Sequence, residues 1–209
     1  QGYRENMMSK KAASAFGLLI IFCLSSQSPI FLNIDDTSEA SGRAQITWSG
    51  NVVLNNHHTV SVTDELIISA CTNVTMSNGI RIFVEGRITV EGTSNCPVYF
   101  DSAGSGDHMG IQFNSTSNGR GSKIDNASII HSTYGITIYG SNPYLANVTI
   151  WNADDVAVDM FNSATPTIRD MVIDEAGQDW NFPTYWRYGI GLSIGAGSAP
   201  NVDGLTITD

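Results

Sequence analysis

The sequence predicts an all-β chain wound as a right-handed parallel β-helix, a solenoid that follows an N-terminal signal peptide. Three observations lead there. First, one short pattern recurs four times: Ile124-Asp125-Asn126-Ala127-Ser128-Ile129, Leu145-Ala146-Asn147-Val148-Thr149-Ile150, Ile168-Arg169-Asp170-Met171-Val172-Ile173 and Val202-Asp203-Gly204-Leu205-Thr206-Ile207. The steps between them are 21, 23 and 34 residues. A period in the low twenties is too short for a helix pair and suits one coil of a strand-rich solenoid, whose apolar face is buried only when the next coil stacks on it. Second, short runs alternate apolar and polar residues, and none carries the 3.6-residue stripe of an amphipathic helix. Third, only 14% of residues are charged while Gly, Ser, Thr and Asn abound, the composition of a turn-rich β protein.

Residues 1–28 read as a leader. Gln1 to Asn6 lie ahead of the first methionine and read as extra translated sequence. Lys10 and Lys11, the apolar run Ala12 to Leu24 and the small residues Ser25, Ser26 and Ser28 then form a secretory signal peptide. Pro29-Ile30-Phe31-Leu32 prolongs the apolar run, so an uncleaved anchor is the alternative and the one route to a membrane. Residues 29–45 read as a flexible linker, rich in polar and acidic residues such as Asp35, Asp36 and Glu39. Residues 46–209 form the β-helix domain. Strands are expected at Val60–Val62, Leu66–Ile68, Val74–Met76, Ile80–Val84, Ile88–Val90 and Val98–Phe100, then at Gly110–Phe113, Gly135–Ile138, Val156–Val158 and Gly189–Ile194. Pro143, Pro166 and Pro200 punctuate the later coils, where a missing N–H breaks no ladder bond. Strands that repeat in one order must pair parallel with their equivalents, and parallel connections wind right-handed by default. Ile129, Ile150, Ile173 and Ile207 should then stack as an inward aliphatic column. The chain stops at Asp209 inside a strand, so further coils are expected beyond it.

Charge and cysteine content narrow the function. Twenty acidic residues face ten basic ones, for a net charge of -10, and three of the basic residues lie in the leader. Such a surface repels nucleic-acid backbones. Cys71 and Cys96, 25 residues apart, fall on neighbouring coils, within reach of disulfide geometry at the strand spacing. A disulfide formed in an oxidising compartment and a pair of buried thiols are the two readings.

From Glu65 the order Leu66-Ile67-Ile68, Val74-Thr75-Met76, Ile80 to Thr93, Cys96-Pro97-Val98-Tyr99-Phe100, then Gly110-Ile111-Gln112-Phe113 and the four repeats resembles secreted right-handed parallel β-helix proteins, the pectate-lyase-like superfamily. The resemblance covers about residues 58 to 209. It implies the architecture and leaves the activity open, because this scaffold carries lyases, hydrolases, epimerases, adhesins and inert surface proteins.

A lyase of that kind would need clustered carboxylates for Ca²⁺ and a base, and a glycoside hydrolase two or three carboxylates on adjacent coils. Asp154, Asp155 and Asp174 are the candidates, yet the motifs that accompany paired aspartates in polygalacturonases are absent. Adjacent strand residues point to opposite faces, so Asp154-Asp155 reads better as solvated turn aspartates. His57, His58, His108 and His131 lack metal-ligand spacing and read as surface or internally satisfied histidines. No metal centre or cofactor is expected, Ca²⁺ being the one ion the enzyme alternative would call for. Asn73, Asn114, Asn126 and Asn147 each begin a glycosylation motif. Asn114 is the expected glycan site, while Asn126 and Asn147, at equivalent repeat positions, are expected to stack as an internal amide ladder.

An insertion of about ten residues follows Ile173 and brings Trp180, Phe182, Tyr185, Trp186, Arg187 and Tyr188 into one segment. Insertions in solenoids emerge on one face, often the binding face, and aromatic rings stack on sugars. The insertion is the expected ligand-binding site, against the plainer reading of a loop that covers the coil with its own rings. Two functions follow: an exported, secreted or cell-surface protein that binds an extracellular glycan or a surface protein without catalysis, or a polysaccharide lyase or glycoside hydrolase.

Overall fold

The computed structural model describes residues 43–177 and 189–208; the leader, most of the linker and the aromatic insertion lie outside the described residues. The described chain is all-β, and its strands pair in parallel into one curled sheet, an arrangement compatible with a β-helix or solenoid. Three short strands make the first pass: β1 (Ala44–Trp48), β2 (Asn51–Leu54) and β3 (His58–Val60). The second pass is β4 (Asp64–Ser69), β5 (Asn73–Met76) and β6 (Ile82–Val84), and the third is β7 (Arg87–Glu91), β8 (Val98–Ser102) and β9 (Ile111–Phe113). From there each pass runs nearly unbroken as β10 (Lys123–Tyr139), β11 (Tyr144–Phe161) and β12 (Thr167–Ala176). β13 (Ile190–Ile194) and β14 (Asn201–Thr208) complete the series.

Register shows how the passes stack. β1, β4, β7 and the starts of β10, β11, β12 and β14 form a first column of strands. β2, β5, β8 and the middles of β10 and β11, followed by the later parts of β12 and β14, form a second. β3, β6, β9, the ends of β10 and β11, and β13 form a third. Equivalent apolar residues therefore lie one above another. Val52, Val74, Phe100, Ile129, Ile150, Ile173 and Ile207 make one inward row, and Trp48, Ile68, Val90, Ile124, Leu145, Ile168 and Val202 make another. Ile129, Ile150 and Ile173 are fully buried, as the repeat predicts, and Phe100 is buried in the same row. Ile207, on the last described pass, is half exposed, because no described strand covers it.

The repeat's polar third position has a backbone cause. Asn126, Asn147 and Asp170 sit at φ +51°, +52° and +48°, and Gly204 at +73°. This left-handed conformation turns the chain from the first column to the second, and short polar residues or glycine tolerate it best. The expected amide ladder is not what forms there. Asn126 and Asn147 both donate through Nδ2 to Asp125 Oδ1, at 2.9 Å each, and Asn147 is exposed. A carboxylate that accepts from both amides holds them more strongly than amides could hold each other. Burial pushes the Asp125 carboxyl upward, but the hydrogen bonds from Lys123 and Asn147 outweigh it and hold the group below its ordinary range. In the second and third passes the same corner is longer, and there Cys71 and Cys96 are joined in a disulfide with Cα atoms 4.8 Å apart.

Candidate functional site

The corner between the second and third columns gathers most of the chemistry. In the first two passes it carries His57 and Arg81, and in the third Asp107 and His108. Later it carries His131 to Tyr134 in β10 and Asp154-Asp155 in β11. On the following pass it is where the chain leaves at Gly177 and returns at Gly189. These two glycines meet so closely that a Cβ built on Gly177 would lie 1.7 Å from the Gly189 Cα. The insertion thus starts and ends at one point of this corner; Trp180, Phe182, Tyr185, Trp186, Arg187 and Tyr188 themselves lie outside the described residues.

On the second-column side, Asp101 Oδ1 lies 2.8 Å from His131 Nδ1 and also accepts the Ser102 backbone N–H at 2.7 Å. His131 is at φ +54°, which swings its ring off the strand and against the edge of Trp151, 5.1 Å between centroids. Trp151 pairs in register with Asp174, whose Oδ1 accepts the Thr208 hydroxyl at 2.7 Å. Asp101 and His131 are both substantially open to solvent, at 45% and 41% side-chain exposure, so the pair is a polar surface fixture beside an aromatic ring.

On the third-column side, Arg81 is half-buried between two rings, with its guanidinium carbon 6.0 Å from the Phe83 centroid and 5.4 Å from that of Tyr134. Its Nε donates to the Met109 carbonyl at 2.9 Å and its Nη1 to Gln112 Oε1. Gln112 in turn donates to Asn114 Oδ1 at 2.8 Å. His57 Nδ1 accepts the Arg81 backbone N–H at 3.1 Å, and its ring packs edge-on to Phe83. His57, Gly79, Arg81, Phe83 and Met109 line an open concavity of about 300 Å³.

The other candidate residues at or near this corner lie in different settings. His108 is fully buried: its Nδ1 accepts the Gly110 N–H at 2.9 Å, so Nε2 carries the proton and donates to the Ile130 carbonyl at 3.1 Å. Burial is the main cause that pushes its imidazole down to about 4. His58 points inward against Trp48 on the first pass, opposite to its neighbour His57, and burial lowers its pKa also. Asp154 and Asp155 do not occupy a free turn. They form a bulge inside continuous β11, where two residues face the single Thr133 between Ser132 and Tyr134. Both are half-buried and engaged in interactions. Asn114, the expected glycan site, is half-buried ahead of the short 3₁₀ turn Ser115–Ser117, with its Oδ1 already engaged.

Arg81, Asp101, Tyr134 and Trp151 are not among the residues the sequence marks as candidates, and His131 reads there as a surface or satisfied histidine; the five are scattered over 71 positions and meet only through the register. The one local signal is an arginine just ahead of a strand and a tryptophan within one, in an acidic chain. Among the described residues no three His, Cys, Asp or Glu side chains are grouped to hold a metal ion. No family model, curated protein or solved structure matches this chain.

Proposed function

We propose that this is an exported surface protein, wound as a right-handed parallel β-helix of the pectate-lyase-like kind, whose lateral corner binds glycans without cleaving them. One observation carries the reading: rings and fixed polar groups alternate along a single outer corner, with Trp151 beside Asp101 and His131 on one flank and Phe83 and Tyr134 around Arg81 on the other. Sugars present apolar ring faces and hydroxyl edges, and sites of this mixed kind meet both. Export is supported by the leader pattern and by the disulfide, a bond that persists in oxidising compartments. The aromatic insertion, which departs from the same corner, is proposed to extend the contact through Trp180, Phe182, Tyr185, Trp186, Arg187 and Tyr188.

A second reading, a polysaccharide-active enzyme, draws on the Asp101–His131 pair, because a carboxylate that holds Nδ1 leaves Nε2 to act as a general base. One experiment separates the two. The chain is screened against a glycan array and for depolymerisation, beside Trp151→Ala and His131→Asn, the latter chosen because asparagine tolerates the same backbone conformation. Binding that is lost in Trp151→Ala, with no shortening of any polysaccharide, is the expected result. Cleavage that disappears in His131→Asn would establish the enzyme, and the absence of any binding would refute both.

A further inference from the structure

We infer that Arg81 is the recognition point for an oxyanion, a carboxylate or a sulfate ester, carried by the bound glycan. The inference deepens the glycan-binding reading and rests on it for the carrier. The chain holds twice as many acidic as basic residues, and Arg87, Lys123 and Arg169 each have a carboxylate within 4 Å: Glu65, Asp125 and Asp203. Arg81, like Arg43 and Arg120, has no such partner among the described residues; it differs from them in being half-buried between two rings at a concavity, with two neutral acceptors, a backbone carbonyl and a side-chain amide.

A buried charge costs free energy unless it is paired, and the flanking rings offset only part of that cost. Burial accordingly lowers the Arg81 pKa, and Tyr134 opposes the shift only in part. Of the five guanidinium N–H groups, Nε–H and one on Nη1 are used, so three donors of the terminal fork have no acceptor among the described residues. That fork matches a planar carboxylate or a sulfate face. The concavity supplies a second donor: His57 accepts at Nδ1, so in the neutral ring its proton sits on Nε2. At about 300 Å³ the space is at the small end of ligand pockets, enough for one charged sugar unit. The net negative surface repels anions at long range, so selectivity must come from short-range contact with this one guanidinium.

The test uses the whole chain and three matched oligosaccharides, one neutral, one uronate-bearing and one sulfated, in calorimetric titrations of wild type, Arg81→Met and Arg81→Lys. The expected result is a preference of roughly tenfold or more for an anionic ligand, as a charge-assisted hydrogen bond supplies. That preference should vanish in Arg81→Met and survive in part in Arg81→Lys, and the tighter of the two anionic ligands identifies the anion. Equal affinity for neutral and anionic ligands in wild type, or a preference retained in Arg81→Met, would overturn it. Should Arg81→Met fail to fold, sodium sulfate and sodium glucuronate are titrated into wild type while the Arg81 Nε–H resonance is followed. A saturable shift supports the site and an unmoved resonance refutes it. Neutral glycans that bind while this resonance stays silent would remove the anion site alone, whereas a saturating resonance without any glycan binding would remove the glycan reading alone.

Discussion

His108 shows how one buried side chain ties an irregular stretch to the sheet. The chain between Ser102 and Gly110 departs from the strand pattern, and the imidazole pins it by accepting from Gly110 N–H and donating to the Ile130 carbonyl. The bond accepted at Nδ1 requires the neutral ring, whereas Nε2–H donates to the carbonyl in either protonation state. Burial pushes its pKa from 6.5 to about 4, partly opposed by the Ile130 carbonyl and by Asp101 and Asp107. The unfolded chain recovers the ordinary value, so between these two pH values it binds the proton that the folded chain refuses. Stability from this group is therefore complete above about pH 6.5 and declines as pH falls toward 4, by at most about 3 kcal/mol. Half-buried His58 acts in the same direction, while the depressed Asp125 contributes its stability throughout this range and loses it only as pH falls below its ordinary value. Urea midpoints measured from pH 7 to 4.5 should fall steeply in wild type. They should start lower but fall less in His108→Gln, and equal slopes in the two would contradict the assignment. Nothing local in Asp107-His108-Met109 announced this burial, since it depends on Ile130 in the next pass.

At the scale of the element, the turn between the first two columns explains why the repeat was readable. Positions 126, 147, 170 and 204 carry Asn, Asn, Asp and Gly because each needs a positive φ, and that chemical constraint leaves a trace in any sequence. What Asn147 does with its side chain left no such trace. Its donation to Asp125 spans 22 positions and competes with the expected stacking on Asn126. Two substitutions separate backbone from side chain. Asn147→Gly keeps the permissive backbone and loses only the hydrogen bond, a cost of about 1 kcal/mol. Asn147→Ala also forces a Cβ-bearing residue without local polar compensation into the left-handed region, for about 2 kcal/mol in all. Thermal denaturation of the two variants should rank them wild type, Gly, Ala; an alanine variant as stable as the glycine one would show that the turn is not strained. The aspartate pair at 154 and 155 teaches the converse. Two adjacent acids suggest a turn, yet a bulge accommodates them inside β11, because the corner of that pass needs one more residue than the pass below.

For the molecule as a whole, the architecture was legible because stacking imposes the same inward residue on every pass, whereas the site was not, because its members are joined by register alone. Arg81 meets Tyr134, and Asp101 meets His131, across passes whose lengths differ, and no spacing in the sequence encodes those meetings. The same stacking governs stability. Ile150, with a described pass on either side, is 0% exposed, and Ile207, on the last described pass, is 51% exposed, although both occupy the same inward row. In a linear stack each interface contributes separately, so the position along the row sets the cost of a deletion. Ile150→Ala leaves a cavity between two covered passes and should cost about 2–5 kcal/mol. Ile207→Ala removes a side chain that already touches water and should cost about 1 kcal/mol or less. Chemical denaturation of both variants checks the contrast. Equal losses would mean that the last described pass is covered in solution as fully as the middle ones, and that the row is a closed core along its whole length.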